Sequence, residues 1–107
     1  MAKVVLTGPA KRDIRAAYEW WRDNRSGEQA ERWYRGILAA ARSLKRDPER
    51  CGPATESDLL PQGIRQLLFG LGRQVTHRLV FTIDEGTVIV LRVRHTAQDA
   101  LTPDDLQ

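Results

Sequence analysis

The chain has 107 residues, a net charge of +3 and 17 basic residues, of which 14 are arginines. This length predicts a single domain, residues 1–107, that folds without covalent cross-links. A single cysteine excludes an internal disulfide, and two distant histidines give no metal-binding motif. No apolar segment approaches the roughly 20 residues of a membrane span. The N-terminal apolar run is too short for a secretory signal. We therefore expect a cytoplasmic protein that uses neither a metal nor another cofactor, and the arginines favour an anionic partner.

The N-terminus predicts a strand followed by a helix. Val4–Thr7 is rich in β-branched residues, and Gly8-Pro9 ends it where proline suits the first turn of a helix. Apolar residues three and four positions apart predict that this helix runs to about Asp23 and buries one face. That stripe consists of Ala10, Ile14, Ala17, Tyr18 and Trp21. Trp20 falls off it, which leaves its ring available to stack on a nucleic-acid base.

A second helix follows after a short break. Ser26 and Gln29 form the capping-box pattern that begins a helix, and Asp47-Pro48 ends the periodic segment. Its apolar stripe is the strongest in the chain and consists of Ala30, Trp33, Tyr34, Ile37, Leu38, Ala41 and Leu44. Glycine costs about 1 kcal/mol in a helix interior, so we interpret Gly36 as a close crossing with the first helix.

The C-terminal half predicts a long loop and three strands. The loop, Pro48–Gly63, is rich in proline, glycine and acidic residues, and long ordered loops are often functional. The predicted strands are Ile64–Leu71, Val75–Ile83 and Thr87–His95, with the last two joined by a three-residue hairpin loop, Asp84-Glu85-Gly86. The prediction is an α+β fold: an N-terminal strand, a two-helix hairpin and a three-stranded antiparallel meander.

Alternation along the last two strands assigns their side chains to two faces of the sheet. The row predicted to face the helices is Leu79, Phe81, Ile83, Ile89, Leu91 and Val93. The row predicted on the other side is Thr76, Arg78, Val80, Thr82, Val88, Val90, Arg92 and Arg94. Three arginines over a valine floor indicate an exposed interaction surface, while periodicity leaves Arg65 unassigned.

Such a surface suits metal-free RNA cleavage, which requires proton transfer and stabilisation of charge on phosphorus. The candidates for phosphate contact are Arg65, Arg78, Arg92 and Arg94. His95 is the candidate for proton transfer because its ordinary pKa lies near neutrality, with His77 as the second. The alternative for the arginines is an ordinary solvated face paired with acidic residues such as Asp105. For the histidines it is partial burial against backbone. Glu56 is a candidate base or a solubilising loop residue.

Several segments resemble the RelE/ParE superfamily of bacterial toxins. They are Leu60-Pro61-Gln62-Gly63-Ile64-Arg65, Thr76-His77-Arg78-Leu79-Val80-Phe81, Val88–Val93 and Arg94-His95-Thr96-Ala97-Gln98-Asp99. Their order and spacing, together with the helical hairpin, extend the resemblance over about residues 3 to 101. Two positions depart from the family pattern: His77 stands in place of a tyrosine, and Gln98 in place of an arginine.

The resemblance implies a toxin of a type II toxin–antitoxin pair that inhibits growth, belongs to plasmid-stabilisation modules and forms a hetero-oligomer with its cognate antitoxin. RelE-like members cut mRNA on the ribosome, whereas ParE-like members inhibit DNA gyrase without catalysis. By position, Arg65, Arg78 and His95 match the catalytic residues of the first class. Arg73, His77, Arg92 and Arg94 are the remaining candidates for contact with RNA or the antitoxin. The two departures weigh against nuclease activity, and a degenerate toxin acting only as a binding module is the third possibility.

Overall fold

The computed structural model describes residues 2–106. Its strands and helices, in chain order, are β1 (Lys3–Leu6), α1 (Gly8–Asn24), α2 (Gly27–Ser43), β2 (Arg65–Phe69), β3 (His77–Asp84) and β4 (Thr87–His95). The segment between α2 and β2 contains two short 3₁₀ turns, Pro48–Arg50 and Ser57–Leu59, and a third, Pro103–Leu106, ends the described chain. The predicted α+β class and the order of its elements are confirmed.

Both helices begin at side-chain caps. The Thr7 hydroxyl accepts a hydrogen bond from the Ala10 N–H at 3.1 Å, and Pro9 lies in the first turn of α1. The Ser26 hydroxyl accepts from the Gln29 N–H at 3.1 Å, as the capping pattern predicted for the second helix. Each cap satisfies a backbone donor that the first turn of a helix leaves without an intrahelical partner.

The four strands form one sheet in the order β1-β4-β3-β2. The last three make the predicted antiparallel meander, while β1 pairs in parallel with β4, Lys3 opposite Thr87 and Leu6 opposite Val90. The chain therefore returns to its own N-terminal strand, and both helices lie in the connection between them.

The helices cover one side of the sheet, which we call the helix face. Its core contains the fully buried Trp33 and Ile37 of α2, Leu79 and Phe81 of β3, and Val90 of β4. The predicted close approach at Gly36 exists, but its neighbour is different. A Cβ at Gly36 would lie 2.6 Å from the ring of Phe69 in β2, so the crossing is with the sheet and not with α1.

The predicted face of part of β4 is wrong. Val88 and Val90 are buried in the core of the helix face, and Leu91 packs on the opposite side. The cause is a β-bulge: Val80 is opposite Arg92, but Phe81 is opposite Val90, so Leu91 has no partner residue in β3. One extra residue in β4 reverses the alternation of its side chains between the two faces. Ile89 and Leu91, which strict alternation predicted to face the helices, therefore do not lie on that side.

The second side of the sheet is also covered, so the predicted open arginine surface is wrong. A smaller core forms there from Ala54, Ile64, Val80 and Leu101, with Leu59, Leu60, Leu91 and Leu106 packed against it. Val80 and Leu91 belong to the sheet, and the residues that cover them come from the loop before β2 and from residues 99–106, which we call the C-terminal strap. We call this side the strap face. Of the three predicted floor valines, only Val80 belongs to it.

The β3–β4 hairpin is tighter than predicted. Asp84 pairs with Thr87, so the loop has two residues, Glu85 and Gly86, and not three. Both have positive φ, 49° and 78°, which is the backbone pattern that matches the twist of a two-residue hairpin.

Candidate functional site

The structure separates the three residues predicted to be catalytic. Arg65 lies opposite Phe81, and His95 opposite His77, so both belong to the helix-face side of the sheet. Arg78 is one residue out of phase with them and belongs to the strap face. The positions of Phe81 and His77 on β3 are four residues apart, about 13 Å at the usual rise of a strand. The three side chains therefore do not converge on one phosphate.

Arg78 is buried, with 8% of its surface exposed, and is paired with Glu56, which is 4% exposed. Both guanidinium Nη atoms donate to the Glu56 carboxylate, the Nη1 contact at 2.8 Å, and Nη1 also donates to Gln66 Oε1 at 3.2 Å. The same carboxylate accepts the Leu101 N–H at 2.8 Å. Glu56 therefore fastens the long loop, β3 and the C-terminal strap together.

These hydrogen bonds decide the protonation state of Glu56. The donation from Arg78 is the largest influence, and it outweighs burial to hold the pKa of the Glu56 carboxyl at about 2, below its ordinary value of 4.5. A bidentate Arg–carboxylate pair is among the strongest charge-assisted contacts in proteins. Glu56 thus stays ionised at neutral pH, and it is not poised to act as a general base.

Arg92 has a similar internal partner. Its Nε and Nη2 atoms donate to the two carboxylate oxygens of Asp13 in α1 at 2.6 and 2.8 Å, and Nη1 donates to the Asp105 carbonyl at 3.1 Å. Asp13 also accepts the Val93 N–H at 2.9 Å, beyond the point where β1 stops pairing with β4. Arg92 and Asp13 therefore close the exposed edge of β4.

The other candidate arginines differ in how freely they meet solvent. Arg65 is half-buried, and its Nη1 donates to the carbonyls of Glu49 and Cys51 at 3.1 and 2.6 Å. Arg94 is half-buried and donates from Nη2 to the Asp99 carbonyl at 3.0 Å. Arg73 is exposed in the loop between β2 and β3. Only Arg73 has a guanidinium fully available to a partner.

The two histidines are neighbours on the helix face. His77 is buried between Trp33, at a ring distance of 5.0 Å, and His95, at 5.2 Å. The pKa of His77 is lowered from 6.5 to about 4. Burial is the main cause, because it disfavours the charged imidazolium, and the charge of His95 is the second cause. His95 is exposed, and its Nδ1 accepts the Ala97 N–H at 3.0 Å, so a neutral ring carries its proton on Nε2.

A cleft of about 560 Å³ opens beside these histidines, between the second half of α1 and the ends of β3 and β4. We call it the histidine cleft. Its lining consists of Asp13, Ala16, Ala17, Trp20, Trp21, Arg25, Thr76, His77, Val93, His95 and Gln98. Trp20 is 51% exposed at this cleft, and its ring meets that of Trp21 edge to face at 5.7 Å.

Neither Asp13 nor the pairing of Glu56 with Arg78 was predicted from the sequence. Asp13 is 79 positions from Arg92, and Glu56 is 22 positions from Arg78, so no local spacing links either pair. Asp105 was foreseen as an alternative partner for the arginines, and it lies beside Arg92. The off-stripe position of Trp20 was the one signal in the sequence that pointed to the histidine cleft.

Residues 2–106, the part of the chain that the structure describes, show neither a metal cluster nor a membrane-spanning helix. No group of three or more His, Cys, Asp or Glu side chains there is arranged to hold a metal ion. No helix there combines the length and apolar character that crossing a membrane requires.

Comparison with known proteins gives a family match. The family model of the ParE toxin of the type II toxin–antitoxin system parDE matches residues 4–100. The fold is similar to a chain of the chromosomal ParDE toxin–antitoxin system from P. aeruginosa, with a TM-score of 0.70 and 21% identity over 89% of this chain and 96% of that one. It is also similar to a chain of the toxin–antitoxin complex RelBE2 from Mycobacterium tuberculosis, with a TM-score of 0.58 and 24% identity over 88% and 96%. No curated protein sequence matches the chain.

Proposed function

Because the chain belongs to the ParE toxin family of type II toxin–antitoxin systems, we propose that it is a cytoplasmic toxin that arrests growth by binding DNA gyrase and not by cutting RNA. The resemblance to ParE-like toxins, which inhibit DNA gyrase, supports this choice of target. The arrangement of the arginines supplies the argument against catalysis.

The observation that carries the proposal is the separation of Arg65, Arg78 and His95. Metal-free cleavage of RNA needs a proton-transfer group and a phosphate-stabilising cation within hydrogen-bond reach of the same reacting atoms. Here Arg78 belongs to the strap face, while Arg65 and His95 belong to the other face and are four strand positions apart. No single RNA phosphate can contact all three.

Internal pairing supports the same conclusion. Arg78 and Arg92 each form a bidentate ion pair with a carboxylate, Glu56 and Asp13 respectively. Removing a buried charge from such a partner costs several kcal/mol, so an RNA phosphate would have to displace Glu56 as well as the strap above it. Ribosome-dependent cleavage stays a prediction of the wider family resemblance, and these contacts oppose it.

We propose a cognate antitoxin as the second partner, in a toxin–antitoxin hetero-oligomer. Both similar structures are described as toxin–antitoxin systems or complexes. The net charge of +3 and the exposed Arg73 suit an acidic antitoxin segment. Association of the gene with a plasmid-stabilisation module follows from the same proposal.

The test is induction of the toxin without its antitoxin in bacteria, with transcript ends mapped genome-wide and the DNA-damage response measured in the same culture. We expect growth arrest with DNA-damage signalling and no new transcript ends. Arrest accompanied by new ends in translated mRNA would contradict the proposal and favour the ribonuclease. Normal growth would favour a degenerate toxin that acts only as a binding module.

A further inference from the structure

We propose that the histidine cleft is the surface by which this toxin grips its target protein, and that it receives a segment of the target carrying an apolar side chain beside a carboxylate. The inference rests on the proposed function in assuming a protein target. It assigns the contact to one end of the helix face and to named residues.

The walls of the cleft suit an apolar side chain. Trp20 lies on α1 beside the small side chains of Ala16 and Ala17, and Trp21 and Val93 complete the apolar lining. An indole that is half exposed in the unbound protein gains a large buried area on binding, and tryptophan is enriched among the residues that dominate protein interfaces. The helical period gives this exposed Trp20 no place in the core of the protein itself.

Three polar side chains of the cleft offer hydrogen-bond donors that are free to meet a ligand. His95 offers Nε2–H because its Nδ1 already accepts the Ala97 N–H. Gln98 uses its Oε1 to accept the His95 N–H at 2.8 Å, which leaves its amide nitrogen available. Arg25, at the end of α1, has no ion-pair partner among residues 2–106. A ligand group that satisfies these donors must carry hydrogen-bond acceptors, and the charge of Arg25 favours an anionic one.

The one carboxylate in the lining does not change this balance. Asp13 accepts from two nitrogens of Arg92 and from the Val93 N–H, so both of its oxygens are occupied and its charge is neutralised. The positive charge of Arg25 therefore governs the electrostatics of the cleft. A carboxylate of the target would find a cation and the His95 donor there, next to the tryptophan wall.

The structure offers a matched control on the other side of the hairpin. A second groove, of about 530 Å³, lies between α1 and α2 and contains Tyr34, an aromatic side chain that is 39% exposed. It shares α1 and the partial exposure of an aromatic ring with the histidine cleft but has neither histidine. Tyr34→Ala therefore tests whether loss of any exposed aromatic residue impairs the toxin.

The experiment compares growth arrest and gyrase binding for Trp20→Ala, Arg25→Glu, Arg25→Lys and Tyr34→Ala. We expect Trp20→Ala and Arg25→Glu to abolish arrest and to weaken binding to purified DNA gyrase more than about tenfold. Arg25→Lys and Tyr34→Ala should stay within about threefold of the wild type. Alanine at position 20 favours a helix, and circular dichroism and thermal unfolding confirm that each variant is folded.

The outcomes separate the two proposals. If Trp20→Ala and Arg25→Glu arrest growth as strongly as the wild type, the proposal that the cleft binds the target is overturned, while the proposed toxin function stands. Absence of arrest or gyrase binding in the folded wild type would instead contradict the proposed function. Co-purification with the co-expressed antitoxin should survive Trp20→Ala, and its loss together with arrest would make the cleft an antitoxin site and overturn the inference.

Discussion

Single residues of this protein acquire roles from partners that are distant in sequence. His77 and Arg78 are adjacent in β3, yet they belong to opposite faces of the sheet and to different environments. His77 is buried against aromatic rings, which disfavours its charged form, whereas Arg78 is buried against a carboxylate, which holds its charge. Both arrangements make the folded protein less stable in acid, and each acts over its own range of pH.

His77 should make the protein less stable in mild acid. Its folded pKa of about 4 lies below the ordinary 6.5, so the unfolded chain binds the extra proton and stability falls as pH drops from 6.5 toward 4. Between pH 7 and 5 the loss is about 2 kcal/mol by the linkage relation. The groups that face His77 are Trp33 of α2, Thr76 and His95.

The measurement is urea unfolding of wild type and His77→Phe at pH 7 and pH 5. Phenylalanine keeps an aromatic ring against Trp33 but does not titrate, so the variant should lose much less stability between the two pH values. An equal loss in wild type and variant would show that His77 is not the acid-sensitive group.

Glu56→Gln should destabilise the protein by about 3 kcal/mol at pH 7, because it leaves the buried Arg78 guanidinium without its counter-charge. The folded pKa of Glu56, about 2, lies below 4.5, so the stabilisation is fully present above pH 4.5 and is lost as pH falls toward 2. The variant and wild type should therefore converge in acid.

The control for Glu56→Gln is Asp23→Asn, which removes an ion pair between exposed side chains, Arg22 and Asp23. Exposed pairs contribute little, and this variant should unfold with the wild type in a urea titration at pH 7. If Glu56→Gln were equally harmless, the fastening of loop, strand and strap through Glu56 would be wrong.

At the scale of elements, periodicity predicted the helices and strands, which depend on neighbouring residues. It failed for features that depend on contacts between residues distant in sequence. The Ser26 cap, both amphipathic helices and the meander follow from patterns within a few residues. The bulge at Leu91 breaks the period without a marker in the sequence, and it reverses the faces of Val88 and Val90. The covering of the second face arises from loop and strap residues that have no repeat to detect.

The loop between β2 and β3 provides a test at this scale. A Cβ at Gly70 would collide with the Gln74 carbonyl oxygen and lie 3.1 Å from Val75 Cα, both backbone atoms that cannot move aside alone. Gly70→Ala should therefore cost about 1–3 kcal/mol. Gly72→Ala in the same loop meets nothing within 4 Å and should leave stability unchanged or slightly improved.

Thermal unfolding of the two alanine variants checks this comparison, since about 1 kcal/mol corresponds to several degrees in a domain of this size. Because both substitutions remove the same conformational freedom from the unfolded chain, their difference reports the folded loop alone. Equal melting temperatures would contradict the close approach at Gly70.

For the whole molecule, both faces of the sheet are covered, one by the helices and the other by the loop before β2 and the C-terminal strap. The helix face holds the main core, the strap face holds the buried Arg78–Glu56 pair, and the Arg92–Asp13 pair closes the edge of β4. Among the candidate site residues, the exposed ones are His95, which lines the histidine cleft, and Arg73. We therefore propose that this toxin acts by binding its target and not by catalysis.

The most direct measurement of that claim is the supercoiling of relaxed plasmid by purified DNA gyrase in the presence of increasing amounts of the purified wild-type protein. We predict that supercoiling falls as the toxin approaches the enzyme in concentration, and that it recovers when the antitoxin is added. Supercoiling that is unchanged at a large molar excess of folded toxin would contradict the account.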